Sequence, residues 1–429
     1  MGAQRIGVIG AGYVGLTTSA CLSQLGHRVV CSDVDQSTVD DLRHGLVGLH
    51  EPGLAELVST GLAAGTLDFT TDNLAAVRGA EFVFLCLPTP ASESGAADLG
   101  AVHAVLAQIG PELRPGSVLV VKSTVPPGTT DDLRARLGRA DVAVSGNPEF
   151  LREGHAVADF LHPQRVVVGA SEEETARRVL ALYRDTGAPT LVTDPASAEL
   201  VKYASNSFLA MKLSYVNTLA ELCERTGADI AAVTEGLGQD ERIGPAFLAP
   251  GPGWGGSCLP KDTRALLHTA RQAEVEFPLL SAAIETNDRQ PARIIEALAG
   301  LLARPLREAR IGLLGLTFKA GTDDLRDSPA LAVAEALAGA GARLRGYDPC
   351  VPAERGRLGP VSLVSRAALA AEGADAVLLL TEWPEFTELD FPDLAARMRS
   401  PVLVDTRDHL PVKVLAAAGF RHHRLGHAS

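Results

Sequence analysis

Two short strings, RIGVIG at residues 5–10 and RIGLLG at residues 310–315, constrain this fold more than any other feature of the chain. Each is an apolar run of strand length that ends in a glycine. Each is followed by a helical pattern, Gly12–Leu25 or Ala330–Ala340, and then by a second strand-like run, Arg28–Cys31 or Arg343–Tyr347. An aspartate closes each second run, Asp33 in one case and Asp348 in the other. Continuous apolar runs separated by helical patterns predict parallel strands covered on both faces, with right-handed crossovers. The match continues further along. Gly79-Ala80-Glu81 precedes FVFLCLP in the first half, and Gly373-Ala374-Asp375 precedes AVLLLTEWP in the second. Paired landmarks in one order predict an α/β architecture built twice, and Phe82–Leu87 and Val118–Val121 read as further strands of the first copy.

The middle has another texture. Ala198–Arg225 is a long helical pattern with neither glycine nor proline, Pro245–Pro260 is a Gly/Pro-rich loop, and Ala292–Ala303 is again helical. The expected organisation is α/β throughout: two Rossmann-like doubly wound domains, residues 1–195 and 304–429, joined by a central helical domain with a long helix, residues 196–303. At ~150 residues per domain, 429 residues suffice for three.

Composition narrows the function. The 39 Lys+Arg against 52 Asp+Glu lack the basic footprint of a nucleic-acid-polymer binder, while leaving room for a local cationic pocket. The six cysteines contain no CxxC pair and no zinc spacing, so a reducing compartment and no metal are expected. The longest apolar runs fall far short of the ~20 residues that span a bilayer. Met1-Gly2-Ala3-Gln4 starts no leader pattern, which predicts a cytoplasmic protein with no membrane partner.

Gly10-Ala11-Gly12-Tyr13-Val14-Gly15 follows a strand and opens a helix. The first glycine permits a tight turn, the second lets backbone approach a pyrophosphate, and the third packs the helix on the strand. The helix N-terminus adds N–H groups and a positive dipole for the anion. Asp33 at the end of the second strand can accept from a ribose diol and would repel a 2′-phosphate, so the cofactor is expected to be NAD. The second half departs from this fingerprint. Gly312 and Gly315 are present, but Phe318 takes the third glycine's place and the cations Lys319 and Arg326 follow. That half suits another phosphate-bearing ligand, or is a structural duplicate.

The loop Gly253–Asp262 (GWGGSCLPKD) carries the chemistry. Pro260 suits a helix's first turn, which places Cys258 just outside a helix N-terminus and beside Lys261, both favouring thiolate. Cys21, Cys31, Cys86 and Cys223 lie on apolar segments and read as structural, and Cys350 as a loop thiol with no partners of interest. A nucleophilic thiol beside NAD suggests aldehyde oxidation through a thioester. Lys202 and Asn206, four residues apart on the long helical pattern, share a face and could hold an oxyanion; a lysine there is more often a solvent-seeking side chain.

With these residues in view, the chain resembles the nucleotide-sugar 6-dehydrogenases, the UDP-glucose/GDP-mannose dehydrogenase family. The resemblance runs end to end: GxGYVG at 10–15, EPGL at 51–54, LPTP at 87–90, KSTVPPGT at 122–129, NPEFLREG at 147–154, KYASNSFLAMK at 202–212, RIGPAFL at 242–248, GGSCLPKD at 255–262 and GLTFKAGTDDLRDSP at 315–329. It implies a four-electron oxidation of UDP-glucose to UDP-glucuronate with two NAD reduced, through a thiohemiacetal and a thioester on Cys258. Lys202 and Asn206 would stabilise oxyanions, Asp262 with Thr124 would position water, and Glu149 would act with a water in proton transfer. The first-step base stays open among Lys202, Asp262 and a water held by Glu149.

The resemblance also assigns binding roles. Gly10, Gly12, Tyr13, Val14, Gly15, Asp33, Thr89, Thr124 and Arg326 would serve NAD. Phe150, Leu151 and Glu153 would line the uridine side, and Phe247, Leu248 and Gly255 the sugar and phosphate. Lys319 and Arg407 would add substrate contacts, as would Lys202. Arg242 would reach across from a second subunit of a homodimer built on the long helix. Trp254 replaces a smaller aromatic of the family, and His50 a tyrosine often found before EPGL. Alternatives are the sister activities on GDP-mannose or UDP-N-acetylmannosamine, a two-electron hydroxyacid dehydrogenase, and an inactive NAD-binding regulator.

Overall fold

The computed structural model describes residues 2–92 and 94–428. The chain forms two compact units: one comprises the chain up to Ser205 with Arg264–Val275, the other Asn206–Thr263 with the chain from Glu276 onward.

Among the described residues, the first unit holds eight strands: β1 Arg5–Ile9, β2 Arg28–Ser32, β3 Leu67–Thr70, β4 Phe82–Leu85, β5 Val118–Val121, β6 Ala143–Gly146, β7 Val166–Ala170 and β8 Thr190–Thr193. Their order is β3-β2-β1-β4-β5-β6-β7-β8, parallel except between β6 and β7. The second unit holds β9 Arg310–Leu314, β10 Arg343–Tyr347, β11 Arg357–Leu358, β12 Val361–Leu363, β13 Ala376–Leu379, β14 Val402–Asp405 and β15 Arg421–Arg424. Their order is β11-β12-β10-β9-β13-β14-β15, parallel except between β11 and β12. Six strands therefore match in order between the sheets, with β1 and β9 at equivalent central places.

The matched sequence landmarks make matched contacts. Arg5 N–H donates to Glu81 Oε2 at 3.1 Å, and Arg310 N–H donates to Asp375 Oδ2 at 2.9 Å. Gly7 in β1 and Gly312 in β9 each let a helix lie close: a Cβ there would stand 2.6 Å from the carbonyl oxygen of Ala76 or Ala370. Strand residues alternate between two apolar clusters in each sheet. Val8, Phe82 and Phe84 face one core while Ile9, Val83 and Leu85 face another; Leu313 and Leu378 likewise part from Leu314 and Leu379. Burial on both faces is why these strands read as unbroken apolar runs.

The long helix runs Pro195–Thr226, close to the expected span. The helix expected over 292–303 starts much earlier, at Pro278, and ends at Leu301 with Pro291 inside it. Leu280, Ala283, Gln290, Ile294 and Leu298 are buried across that proline. Burial of Leu280, Ala283, Ile294 and Leu298 on either side of it offsets the ~3 kcal/mol that an interior proline costs. No helix among the described residues is long and apolar enough to cross a membrane.

Candidate active site

In the first unit, the turn after β1 has the form a dinucleotide needs. Gly10 sits at φ 100°, where a Cβ would meet the Cys86 carbonyl at 2.6 Å; at Gly15 a Cβ would stand 1.8 Å from the Gly10 carbonyl oxygen. Gly12 caps the helix Tyr13–Gln24, and nothing lies within 4 Å of where its Cβ would be. The cradle is thus closed by packing at Gly10 and Gly15 and open at Gly12, which fits a pyrophosphate at the helix N-terminus. Asp33 accepts from Ala11 N–H at 2.8 Å and Asp35 N–H at 3.0 Å, so it is fixed in place beside the turn with acceptor capacity left for a ribose. Val14 packs against the core, and Thr89 Oγ1 donates to the Thr124 carbonyl at 2.7 Å.

The side chain of Tyr13 is anchored within this unit. Its hydroxyl donates to Glu51 and accepts from Gly154 N–H, the latter at 2.8 Å.

The same unit holds a buried charge centre. Lys202 Nζ lies 2.8 Å from Glu149 Oε1, and Leu151 N–H donates to Glu149 Oε2 at 2.5 Å. Burial pushes the Glu149 carboxyl up, but Lys202, the Leu151 N–H and the nearby Lys122 outweigh it and hold the group below its ordinary range. Phe150 carries Arg165 over its ring at 4.0 Å and Lys202 at 5.5 Å. Leu151 and Glu153 are half-buried on the same loop.

Sequence reasoning gave Lys122 no role. It is 4% exposed at the end of β5, donates to Asn147 Oδ1 and the Tyr183 hydroxyl, and burial lowers its pKa to about 8. A lysine closing the wholly apolar strand VLVV was the available signal. Glu199, also missed, is buried and accepts from Gly128 N–H, Thr130 N–H and Thr130 Oγ1 at 2.6–2.7 Å, which secures the N-terminus of the helix Thr129–Leu137 just beyond Thr124.

In the second unit, Cys258 immediately precedes the helix Leu259–Gln272, and Asp262 N–H donates to its carbonyl at 2.9 Å, closing the first turn. Cys258 is half-exposed, with its sulfur 3.5 Å from Ser257 Oγ. Asp262 is fully buried; Asn206 Nδ2 donates to its Oδ2 at 2.6 Å and Lys261 Nζ to its Oδ1 at 2.5 Å. The Lys261 ammonium is therefore directed to Asp262, not aimed at the thiol as its position in sequence suggested. The other cysteines match expectation: Cys21, Cys31, Cys86 and Cys223 are buried, and burial pushes the first three up to about 12.

The glycines before Cys258 are dictated by contact. At Gly255 a Cβ would stand 1.9 Å from the Asp327 carbonyl oxygen, and Gly256, at φ 82°, would press a Cβ to 2.8 Å from the Phe318 ring. Gly256 N–H donates to the Arg326 carbonyl at 3.1 Å, which ties the cysteine loop to the Phe318–Arg326 loop. Trp254 turns inward: it is 6% exposed, and its indole N–H donates to Ser214 Oγ on the long helix at 2.9 Å. Its extra bulk goes into packing.

Lys319 lies over the Phe318 ring at 5.6 Å, and Arg407 Nη2 donates to the Phe318 carbonyl at 3.3 Å. Arg326 pairs with Asp324 at 2.8 Å, and Leu248 is buried while Phe247 is partly exposed at φ 61°. Arg242 stands apart, with an 89% exposed side chain paired only locally to Asp240.

The second sheet's counterpart of Asp33 explains its lost fingerprint. Asp348 is 2% exposed, and its Oδ2 takes donors from Leu316 N–H, Thr317 N–H, Thr317 Oγ1 and Trp383 Nε1 within 3.1 Å. Four donors on one buried oxygen commit this aspartate to holding its own sheet together.

One glycine-cradled helix N-terminus with its fixed aspartate, in a doubly wound sheet, defines an NAD-dependent oxidoreductase. Residues 4–186 match the NAD binding domain of the UDP-glucose/GDP-mannose dehydrogenase family, 196–289 its central domain and 312–411 its UDP binding domain; the chain belongs to this family, with NAD as cofactor. It is 42% identical to UDP-glucose 6-dehydrogenase of Rhizobium meliloti (strain 1021), covering 98% of this chain and 99% of that one. It is 40% identical to UDP-glucose 6-dehydrogenase TuaD of Bacillus subtilis (strain 168), covering 99% and 93%. A solved UDP-glucose dehydrogenase from Pyrobaculum islandicum matches with a TM-score of 0.91 and 38% identity, covering 100% of this chain and 98% of that one.

Proposed function

We propose that this chain oxidises UDP-glucose to UDP-glucuronate in two two-electron steps. The observation that carries the reading is Cys258, a half-exposed thiol at a helix N-terminus one turn before the buried Asp262. NAD, when bound, supplies the hydride acceptor for both oxidations. The Cys258 sulfur adds to the aldehyde carbon left by the first oxidation and forms a thiohemiacetal. Oxidation of that adduct leaves a thioester, which water cleaves to the carboxylate and the free thiol. Lys202 and Asn206 stabilise the oxyanions. Asp262 and Thr124 position the water, and Glu149 works through a water in proton transfer. The Glu149–Lys202 pair supports these roles by holding the two side chains in place, Nζ to Oε1 at 2.8 Å.

In the same reading Gly10, Gly12, Tyr13, Val14, Gly15, Asp33, Thr89, Thr124 and Arg326 serve the cofactor. Phe150, Leu151 and Glu153 line the uridine, Phe247, Leu248 and Gly255 the sugar and phosphate, and Lys319 and Arg407 complete the substrate contacts. Residues 1–195, 196–303 and 304–429 act as cofactor, central and UDP-sugar domains. Arg242 serves the partner's substrate in a homodimer formed on the long helix. Its exposure supports this, as does a stripe on that helix of Phe208, Tyr215 and Leu222, which are 61%, 58% and 55% exposed. Six free cysteines suit a cytoplasmic setting. The test is NADH formation with UDP-glucose, UDP-N-acetylmannosamine and GDP-mannose in parallel. Turnover fastest with UDP-glucose is expected; turnover with GDP-mannose and none with UDP-glucose overturns the assignment.

A further inference from the structure

Glu51, the acid of the EPGL string, has no part in the reading above, yet it is 7% exposed and engaged at both oxygens. Oε2 accepts from the Tyr13 hydroxyl, and Oε1 accepts from Val157 N–H at 3.2 Å. The Tyr13 oxygen in turn accepts from Gly154 N–H at 2.8 Å. Tyr13 is the first residue of the helix Tyr13–Gln24 and follows Gly12, the open point of the cofactor cradle. Gly154 follows Glu153, the last residue assigned to the uridine side. One phenol and one carboxyl therefore join the cofactor cradle to the far end of the loop that starts at Glu149. The near end is held separately, by Lys202 and the Leu151 N–H.

The chemistry of this link is durable. Burial first, and then the hydrogen bond to Glu51, push the Tyr13 phenol far above its ordinary range, so it remains a donor at every working pH. Replacing the phenol by phenyl would leave the Gly154 N–H and a Glu51 oxygen without this partner, a loss that falls on the loop and not on the sheet core.

We propose that Tyr13 and Glu51 are positioning residues that couple the cofactor cradle to the 149–154 loop, so that binding at one favours binding at the other. The inference rests on the reading of that loop as the uridine side. Reciprocal coupling of this kind changes an affinity by about 5- to 150-fold.

The experiment uses the full chain, with UDP as the probe of the loop. The NADH dissociation constant is measured by fluorescence with and without saturating UDP, for the wild type, Tyr13→Phe, Glu51→Gln and Glu51→Ala. The wild type is expected to bind NADH at least about fivefold more tightly with UDP present. In Tyr13→Phe and Glu51→Ala the ratio falls to within about twofold of one, and Glu51→Gln, which keeps an acceptor, lies between. Tyr13→Phe also raises KM for UDP-glucose more than it lowers kcat. A purely structural role would lower the melting temperature and leave the ratio unchanged. Should Glu51→Ala fail to fold, Tyr13→Phe, which removes a single oxygen, carries the test. A wild-type ratio of one, or an unchanged ratio in Tyr13→Phe, overturns the inference. Absence of NADH formation from UDP-glucose by the wild type overturns the functional reading instead.

Discussion

Lys202 and Glu149 form a buried ion pair, Nζ to Oε1 at 2.8 Å, with side chains 4% and 5% exposed. Removing one member of such a pair strands the other charge, a far larger penalty than the pair's own net worth. The pair thus fixes the position of two groups to which the proposed chemistry gives separate roles.

Lys202→Met is expected to lower stability by about 3–5 kcal/mol and turnover by about 10²–10³-fold. The double variant with Glu149→Gln should cost less stability than the sum of the singles. Because Glu149 is depressed in the folded state, its stabilising contribution is present above the unfolded carboxyl pKa of about 4.3 and is lost as pH falls through the folded value. In Lys202→Met the same carboxyl is buried without its cation, which favours the neutral form. The variant therefore regains stability as pH falls toward about 4.3, and its gap in melting temperature from the wild type should shrink between pH 7 and pH 4.

Lys122 predicts a slope of the same sign at high pH. Its pKa of about 8 in the folded chain lies below the ~10.4 of an unfolded lysine. Between these values the unfolded state binds more protons, so this lysine makes stability rise with pH there, by on the order of 3 kcal/mol over the whole window. Lys122→Met lacks that increment. The melting temperature of the wild type minus that of the variant should grow between pH 7.5 and pH 9.5, and a constant difference would refute the buried-cation assignment.

Cys258→Ser keeps size and hydrogen bonding but supplies a poorer nucleophile and a worse leaving group. It is expected to react slowly and to stall after the second oxidation, with mass spectrometry of the quenched protein finding the serine ester of the sugar nucleotide. Full turnover by this variant would exclude the thioester.

Phe208, Tyr215 and Leu222 recur every seven residues and so lie along one side of the long helix. Tyr215→Asp should convert a dimer to a monomer in light scattering and remove most activity, since Arg242 would then have no partner site to serve. A wild-type monomer with full activity would contradict the shared-site reading.

Much of this was legible because apolar strands buried on both faces write themselves as unbroken runs, and because Gly10, Gly15 and Gly255 sit where a Cβ collides with backbone. The repeat between residues 5–10 and 310–315 could be carried to its acidic landmarks, Glu81 and Asp375, which close equivalent hydrogen bonds. Contacts across long sequence separations were not legible. Nothing local says that Tyr13 meets Glu51, that Lys261 turns to Asp262, or that Trp254 points into the long helix. The start of the helix at Pro278 was hidden because Pro291 imitates a boundary, and only the buried face running past it shows that the helix continues.

The central claim is that one active centre performs two oxidations on one substrate. The most direct test is the NADH yield from a limiting, known amount of UDP-glucose with excess NAD. Two NADH per UDP-glucose, with UDP-glucuronate as the product, is the expected result. One NADH per UDP-glucose, with an aldehyde released, would contradict it.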